Sequence, residues 1–330
     1  MATIAVDAMG GDHAPHSLVE GAILALDEPT FTHTILFVGN ESDLHPLLAK
    51  YKNPKRIRVL HAPDVFGTEE RPSMILKRKD ASMYKAAQEV REQRAQALVS
   101  AGNTGGLLAV ATFVVGRLST IPRPAIATLI PSVLGWTILI DSGANTQCKA
   151  EHYLGFARLG KAYAEMNGVH SPKIGLLNVG TEEEKGLEEL HKASILIKEF
   201  FPDSFVGYVE GRDINLGKVH IVVTDGFTGN VVLKTLEGLA KFILSGMKES
   251  ILQGGLGAKI GGGLIRKSLN GFRERLDYRN TGGAFIMGTK APVVKAHGSS
   301  DAQAIKNALL VAAKGVDKEL TKASEGVISS

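Results

Sequence analysis

The sequence predicts an α/β protein: three layers, α/β/α, around a mostly parallel sheet. Two observations carry this. Short β-branched runs alternate with amphipathic segments along all 330 residues, the pattern of repeated strand–helix–strand units. Several of the runs also end in glycine beside Asn, Asp, Ser or Thr, the chemistry of the loops that follow strands in such sheets.

The strand-like runs are residues 4–6, 35–38, 57–60, 97–100, 126–130, 137–140, 174–177, 206–209 and 219–224. Between them, residues 17–26, 81–93, 150–167 and 183–200 place apolar side chains every three or four positions, as helices packed on a sheet do. No low-complexity linker and no repeat of fixed period divides the chain, so one body spanning 1–330 is expected. Residues 239–277 depart from the pattern. A long amphipathic helix carrying Leu236, Leu239, Phe242, Ile243, Met247 and Ile251 meets a glycine-dense stretch at 254–263, then a second, basic helix. This reads as a projecting helical hairpin. Leu252, Leu256, Ile260 and Leu264 share one face if the tip is helical. Each internal glycine costs about 1 kcal/mol relative to alanine, so the tip is marginal in water without a surface to fold against.

Composition narrows the class. At 44% hydrophobic residues the chain buries a large core. A single cysteine, Cys148, rules out a disulfide framework and fits a reducing cytoplasm; it is assigned no role. The N-terminus begins with strand-like Thr3-Ile4-Ala5-Val6 and lacks the pattern of a signal peptide, so a cytoplasmic protein is expected. The longest apolar run, 105–116, falls short of the ~20 residues that cross a bilayer and reads as a buried helix. The net charge is +4, and the excess sits in one segment: Lys241, Lys248, Lys259, Arg266, Lys267, Arg273, Arg275 and Arg279 against Glu249, Glu274 and Asp277. An acidic partner fits. Nucleic acid is not expected, because Phe242, Phe272 and Tyr278 are the segment's only aromatics for base stacking.

Five strand ends carry the candidate chemistry: Asp7 to His13 with Gly10 and Gly11; Asn103-Thr104-Gly105; Asp141 to Asn145; Asn178-Val179-Gly180-Thr181; and Asp225 to Asn230 with Thr228 and Gly229. The last is the most informative, since a β-branched strand enters a glycine-punctuated turn that opens a helix. Unpaired N–H groups and the positive dipole end make such a junction a place for an anion. All five are expected to meet at one cleft along the carboxyl edge of the sheet. His13 and His297 each lie near glycine at a strand end, suited to proton exchange or to plain loop hydrogen bonding, and residues 298–301 resemble a helix N-cap. Lys185, just past Gly180 and Thr181, is either a solvated charge beside Glu182 or a lysine reaching an anion. Asp7, Asp141 and Asp225 either cap turns or polarise a nucleophile. Absent patterns matter too. There is no Gly-x-x-x-x-Gly-Lys-Ser/Thr loop, no His-Glu-x-x-His or cysteine pair, no Gly-x-Gly-x-x-Gly after the first strand and no Gly-x-Ser-x-Gly elbow. An enzyme that positions a small anion, without metal, cofactor or covalent intermediate, is the expected class.

These segments, taken together with Lys295-Ala296-His297-Gly298-Ser299-Ser300-Asp301, resemble the bacterial phosphate acyltransferases of the PlsX family from residue 2 to about 320. Two positions depart from the expected pattern, Ser142 where valine is usual and Gly106 where alanine is common; neither removes a polar group. The resemblance implies a Rossmann-like fold related to phosphotransacetylases and to isocitrate and isopropylmalate dehydrogenases. It implies transfer of a fatty acyl group from acyl carrier protein to inorganic phosphate, a homodimer, and delivery of acyl phosphate to a membrane acyltransferase. On this reading the loops around Asn103-Thr104-Gly105 and Thr228-Gly229-Asn230 hold phosphate, while Lys185, Asn230 and His297 are the candidates for stabilising the oxyanion. The basic hairpin suits the carrier protein, its apolar tip an anionic membrane surface. Two rivals remain: a phosphotransacetylase using short acyl-coenzyme A, which needs no apolar tip, and a non-catalytic lipid-synthesis scaffold, which needs no polar strand-end loops.

Overall fold

A computed structural model describes residues 1–51, 54–133, 135–255, 257, 261, 263, 271 and 282–329. Its strands are β1 (Thr3–Asp7), β2 (Thr34–Gly39), β3 (Ile57–His61), β4 (Ala97–Ser100), β5 (Ala125–Ser132), β6 (Gly135–Ile140), β7 (Ile174–Leu177), β8 (Phe205–Val209), β9 (Ile221–Val223), β10 (Ala284–Met287) and β11 (Val293–Lys295). The helices are α1 (His16–Leu26), α2 (Glu41–Leu48), α3 (Ser82–Arg91), α4 (Thr104–Val110), α5 (Ala150–Met166), α6 (Glu188–Phe200), α7 (Gly211–Leu216), α8 (Gly226–Gln253), α9 (Ala302–Asp317) and α10 (Leu320–Ser329). The expected strands are all present. The apolar run 105–116 forms α4 and a wider π-type turn, Ala111–Gly116, that continues it. The helix expected from 183 begins only at Glu188, because Gly186 takes a φ of +104°, outside helical geometry.

One sheet holds all eleven strands in the order β3-β2-β1-β4-β11-β10-β5-β6-β9-β7-β8. Pairing is parallel except at β11–β10, β10–β5 and β5–β6. The two parallel blocks therefore run in opposite directions, and this corrects the expectation of a single carboxyl edge. The ends of β1, β4 and β11 lie at one edge, those of β6, β7 and β9 at the other.

The helices explain how a site forms nonetheless. On one face the core is continuous, from Val6, Phe37 and Val99 under α1 and α9 to Ile140, Ile174 and Ile221 under α5 and α6. On the other face it is split. Ala5, Leu98 and Val293 pack under α3 and α4, whereas Leu139, Val209 and Val222 pack under α7 and α8. Between α4 and α8 the sheet lies open over β11, β10 and β5, leaving a cleft of about 800 Å3.

Helix α8 includes the first stem of the expected hairpin and buries only Gly226 and Gly229. Along its remaining length Leu239, Phe242 and Leu252 are exposed. The tip and second stem, with Leu256, Lys259, Ile260, Leu264, Arg266, Lys267, Arg273 and Arg275, lie outside the described residues. No helix among the described residues is long and apolar enough to cross a membrane.

Candidate active site

Ile126, Thr128 and Ile130 of β5, Ala284 of β10 and Lys295 of β11 form the floor of the cleft; Thr104 stands on one side and α8 on the other. Two stripes of α8 reach it. Asn230, Lys234, Glu237 and Lys241 recur at helical spacing on one line, and Leu233, Leu236, Ala240 and Ile243 on the next. The apolar line packs toward Ile130 and Leu139 through Leu233 and Leu236. The polar line faces the loop after β11, where Lys234, Glu237 and Lys241 act electrostatically on His297. The cleft is thus greasy against β5 and polar against β11.

His297 is held by its own loop. Its Nδ1 accepts the Ser299 backbone N–H at 3.3 Å and lies 2.9 Å from Ser299 Oγ. A donor at Nδ1 places the hydrogen of the neutral ring on Nε2. Burial, then the nearby Lys234, lowers its pKa, favouring that neutral form. Asp301 caps α9, accepting the Ala304 N–H at 2.9 Å, as the 298–301 pattern predicts. Asn230 lines the cleft from the start of the second turn of α8, beside Gly143. Behind it, the hydroxyls of Thr128 and Ser142 are 2.7 Å apart.

The expected anion cradles are largely occupied by the protein itself. At the start of α8, the Gly226 N–H donates to Asn145 O at 2.7 Å, and Asp225 accepts both the N–H and the hydroxyl of Thr228, at 2.9 and 2.8 Å. Gly229 is pressed against β6, where a Cβ would stand 1.9 Å from Asp141 O. Asp225 and Thr228 are therefore cap, not cradle. Asn103 is similar: Oδ1 accepts the Gly106 N–H at 2.9 Å while Nδ2 donates to Thr68 O at 2.8 Å, tying α4 to the 67–70 loop. Gly105 fits against Pro72, 2.4 Å from where a Cβ would sit. Asp141, fully buried, accepts N–H groups from Ile126, Gly143, Ala144 and Asn145 and the Asn145 side-chain amide. Burial raises its pKa and these donors pull it back. Asp141 and Asn145 hold the β6 loop together.

Asp7 is buried and accepts from Ser82 Oγ at 2.6 Å and Ser100 Oγ at 2.7 Å. Gly10 packs against its carboxylate, and Gly11, with a φ of +110°, bends the loop toward Gly298. His13 is exposed and lines no part of the cleft. Nor do Asn178, Gly180, Thr181 and Lys185, which belong to the loop after β7, two strands beyond β6. There the Asn178 amide donates to Lys185 O at 2.7 Å, and the exposed Lys185 ammonium pairs with Glu182 at 2.7 Å.

Sequence reasoning passed over Lys234, Lys295, Thr128 and Ser142. Lys295 had a usable signal, since it ends a strand two residues before His297; Lys234 had another, one helical turn after Asn230.

The fatty acid synthesis protein family matches residues 2–323 of this sequence. The chain belongs to that family. It is 48% identical over 322 residues to the phosphate acyltransferase of Thermotoga neapolitana, covering 98% of this chain and 95% of that one. It is 44% identical over 324 residues to the phosphate acyltransferase of Clostridium botulinum, covering 98% and 96%. Among solved structures, a phosphotransacetylase from Streptococcus pyogenes superposes with a TM-score of 0.62 at 15% identity, covering 100% of this chain and 94% of that one. A 4-hydroxythreonine-4-phosphate dehydrogenase from Klebsiella pneumoniae superposes at 0.52 and 11% identity, covering 99% and 100%. The family's α/β architecture is thus shared with phosphotransacetylases and with a dehydrogenase.

Proposed function

We propose that this acyltransferase moves a fatty acyl group from the thioester of acyl carrier protein to inorganic phosphate, supplying acyl phosphate to phospholipid synthesis. The two-sided cleft carries the reading: an apolar wall of α8 and β5 for the acyl chain, and a polar wall of Asn230, Lys234, Lys295 and His297 for phosphate and the reacting carbonyl. A phosphate oxygen attacks the thioester carbon, the carbon–sulfur bond breaks, and the carrier thiolate leaves and takes a proton. His297 Nε2–H and the Asn230 amide are the donors for the oxyanion in between. Phosphate is already anionic near neutral pH, so orientation in the cleft outweighs any need for a strong base.

The same reading covers the surroundings. The chain acts as one α/β/α body, and as a homodimer through the exposed apolar residues of the α8 stem, such as Phe242, Ile243 and Met247. The basic residues of 259–275 meet the acidic carrier protein. The apolar tip rests on the anionic inner face of the cell membrane, where an acyltransferase consumes the product. The test is to incubate the pure protein with palmitoyl-carrier protein and phosphate and to trap acyl phosphate with hydroxylamine. Hydroxamate that requires both substrates supports the reading. Thioester cleavage without phosphate, or turnover of acetyl-coenzyme A alone, defeats it.

A further inference from the structure

A lysine with too few partners sits in the floor of the cleft. Lys295 pairs in register with Ser100 on β4, and Ser100 with Asp7 on β1, so the three side chains stand in a row on the open face of the sheet. Burial pushes the Asp7 carboxyl upward, and the hydroxyls of Ser82 and Ser100 that fix it pull it back toward the carboxylate. Among the described residues the Lys295 ammonium donates only to Ala296 O, and no carboxylate lies within ion-pair distance. The charged and titratable groups around it are Asp7, Asp12, Lys234 with its partner Glu237, Lys241, His297 and Asp301. Burial and Lys234 bring its pKa down to about 8, while Asp12 and Asp7 act the other way. A half-buried ammonium that meets no carboxylate among the described residues gains from an anionic ligand that completes it.

We propose that Lys295 binds the acceptor phosphate and that Asp7, two strands behind it, is a positioning residue that keeps a proton on Lys295. This rests on the phosphate-acceptor reading of the cleft. Phosphate and proton then favour each other at the site. Above pH 8 inorganic phosphate is already the dianion, so a proton taken up on binding goes to the lysine.

The experiment measures phosphate binding by calorimetry at a pH of about 8.5, in two buffers of different ionisation enthalpy, alongside the pH profile of kcat/KM for phosphate. The wild-type protein should take up a fraction of a proton and lose kcat/KM as pH rises through about 8. Lys295→Met should raise the KM for phosphate at least about tenfold, leave the KM for the acyl donor within about twofold, and remove the alkaline limb. Lys295→Arg, always charged, should bind phosphate with no such limb. Asp7→Asn should keep phosphate binding but move the limb to lower pH, with Ser100→Ala moving it the same way more weakly. An unchanged KM or an unchanged limb in Lys295→Met overturns the role of Lys295, and an unmoved limb in both Asp7→Asn and Ser100→Ala overturns that of Asp7. A wild-type protein that binds phosphate with proton uptake yet makes no acyl phosphate would instead defeat the proposed reaction.

Discussion

His297 and Asn230 come from different blocks of the sheet, one after β11 and one after β9, and both line the cleft. If both donate to the oxyanion, His297→Ala and Asn230→Ala should each lower turnover at least about tenfold, on the order of 1.4 kcal/mol, with unfolding midpoints little changed. Near-normal rates for both would move the chemistry elsewhere. Lys295 offers a complementary measurement. An unfolded lysine titrates near ~10.4, whereas in the folded protein burial brings this one to about 8. Its charge therefore costs stability at every pH below 8, and the cost fades as pH rises from there toward ~10.4. In urea titrations without phosphate, Lys295→Met should be more stable than wild type below pH 8, by no more than about 3 kcal/mol, with the gap closing at high pH. The candidate donors were legible from sequence because glycine, asparagine and histidine at strand ends are local signals. Whether Asp225 or Asn103 serves a ligand or its own helix is not local. That depends on what packs over the turn, and here Asn145 and the 67–70 loop occupy the place of a ligand.

Helix α8 shows how one element serves both fold and cleft. Its first turn is docked, with Gly229 against Asp141 O, and at the exposed Gly238 no atom of the described residues lies within 4 Å of where a Cβ would sit. The two glycines should respond in opposite senses. Gly229→Ala forces the turn away from β6, so stability and activity should both fall. Gly238→Ala only removes chain entropy and should stabilise by about 0.5–1 kcal/mol with activity retained. Equal effects at both positions would contradict this docking. The period of α8 was plain from its apolar spacing, and its start from Asp225 and Gly226. Strand direction was not. β5 pairs back on β6 with Ser132 opposite Gly135, yet the sequence there lacks the Asn-Gly or Asp-Gly that signals a hairpin. β10 and β11, four and three residues long, are too short to show a period.

At the scale of the whole molecule, the proposed membrane contact depends on the tip of the hairpin and the proposed catalysis on the cleft, so the two should separate. Leu256→Glu with Ile260→Glu should abolish flotation with anionic liposomes, since burying each aliphatic side chain contributes about 1.5–3 kcal/mol. It should leave a dimer that still converts acyl-carrier protein in solution. A double mutant that still floats, or becomes monomeric, would assign the tip to the dimer contact. The strand order has a further consequence, for synthesis. β10 and β11 are the last strands made, yet they lie between β4 and β5, both completed within the first 132 residues. Until residue 295 leaves the ribosome, the two blocks have no common sheet, and each presents a bare edge to any neighbouring chain. Chains stopped near residue 281 should therefore aggregate instead of accumulating as a smaller soluble protein, a difference visible in the pellet fraction on expression. Lys295 and His297 complete the cleft and the strand seam at the same moment, so on the proposed reading a chain that has not finished its sheet cannot yet bind phosphate.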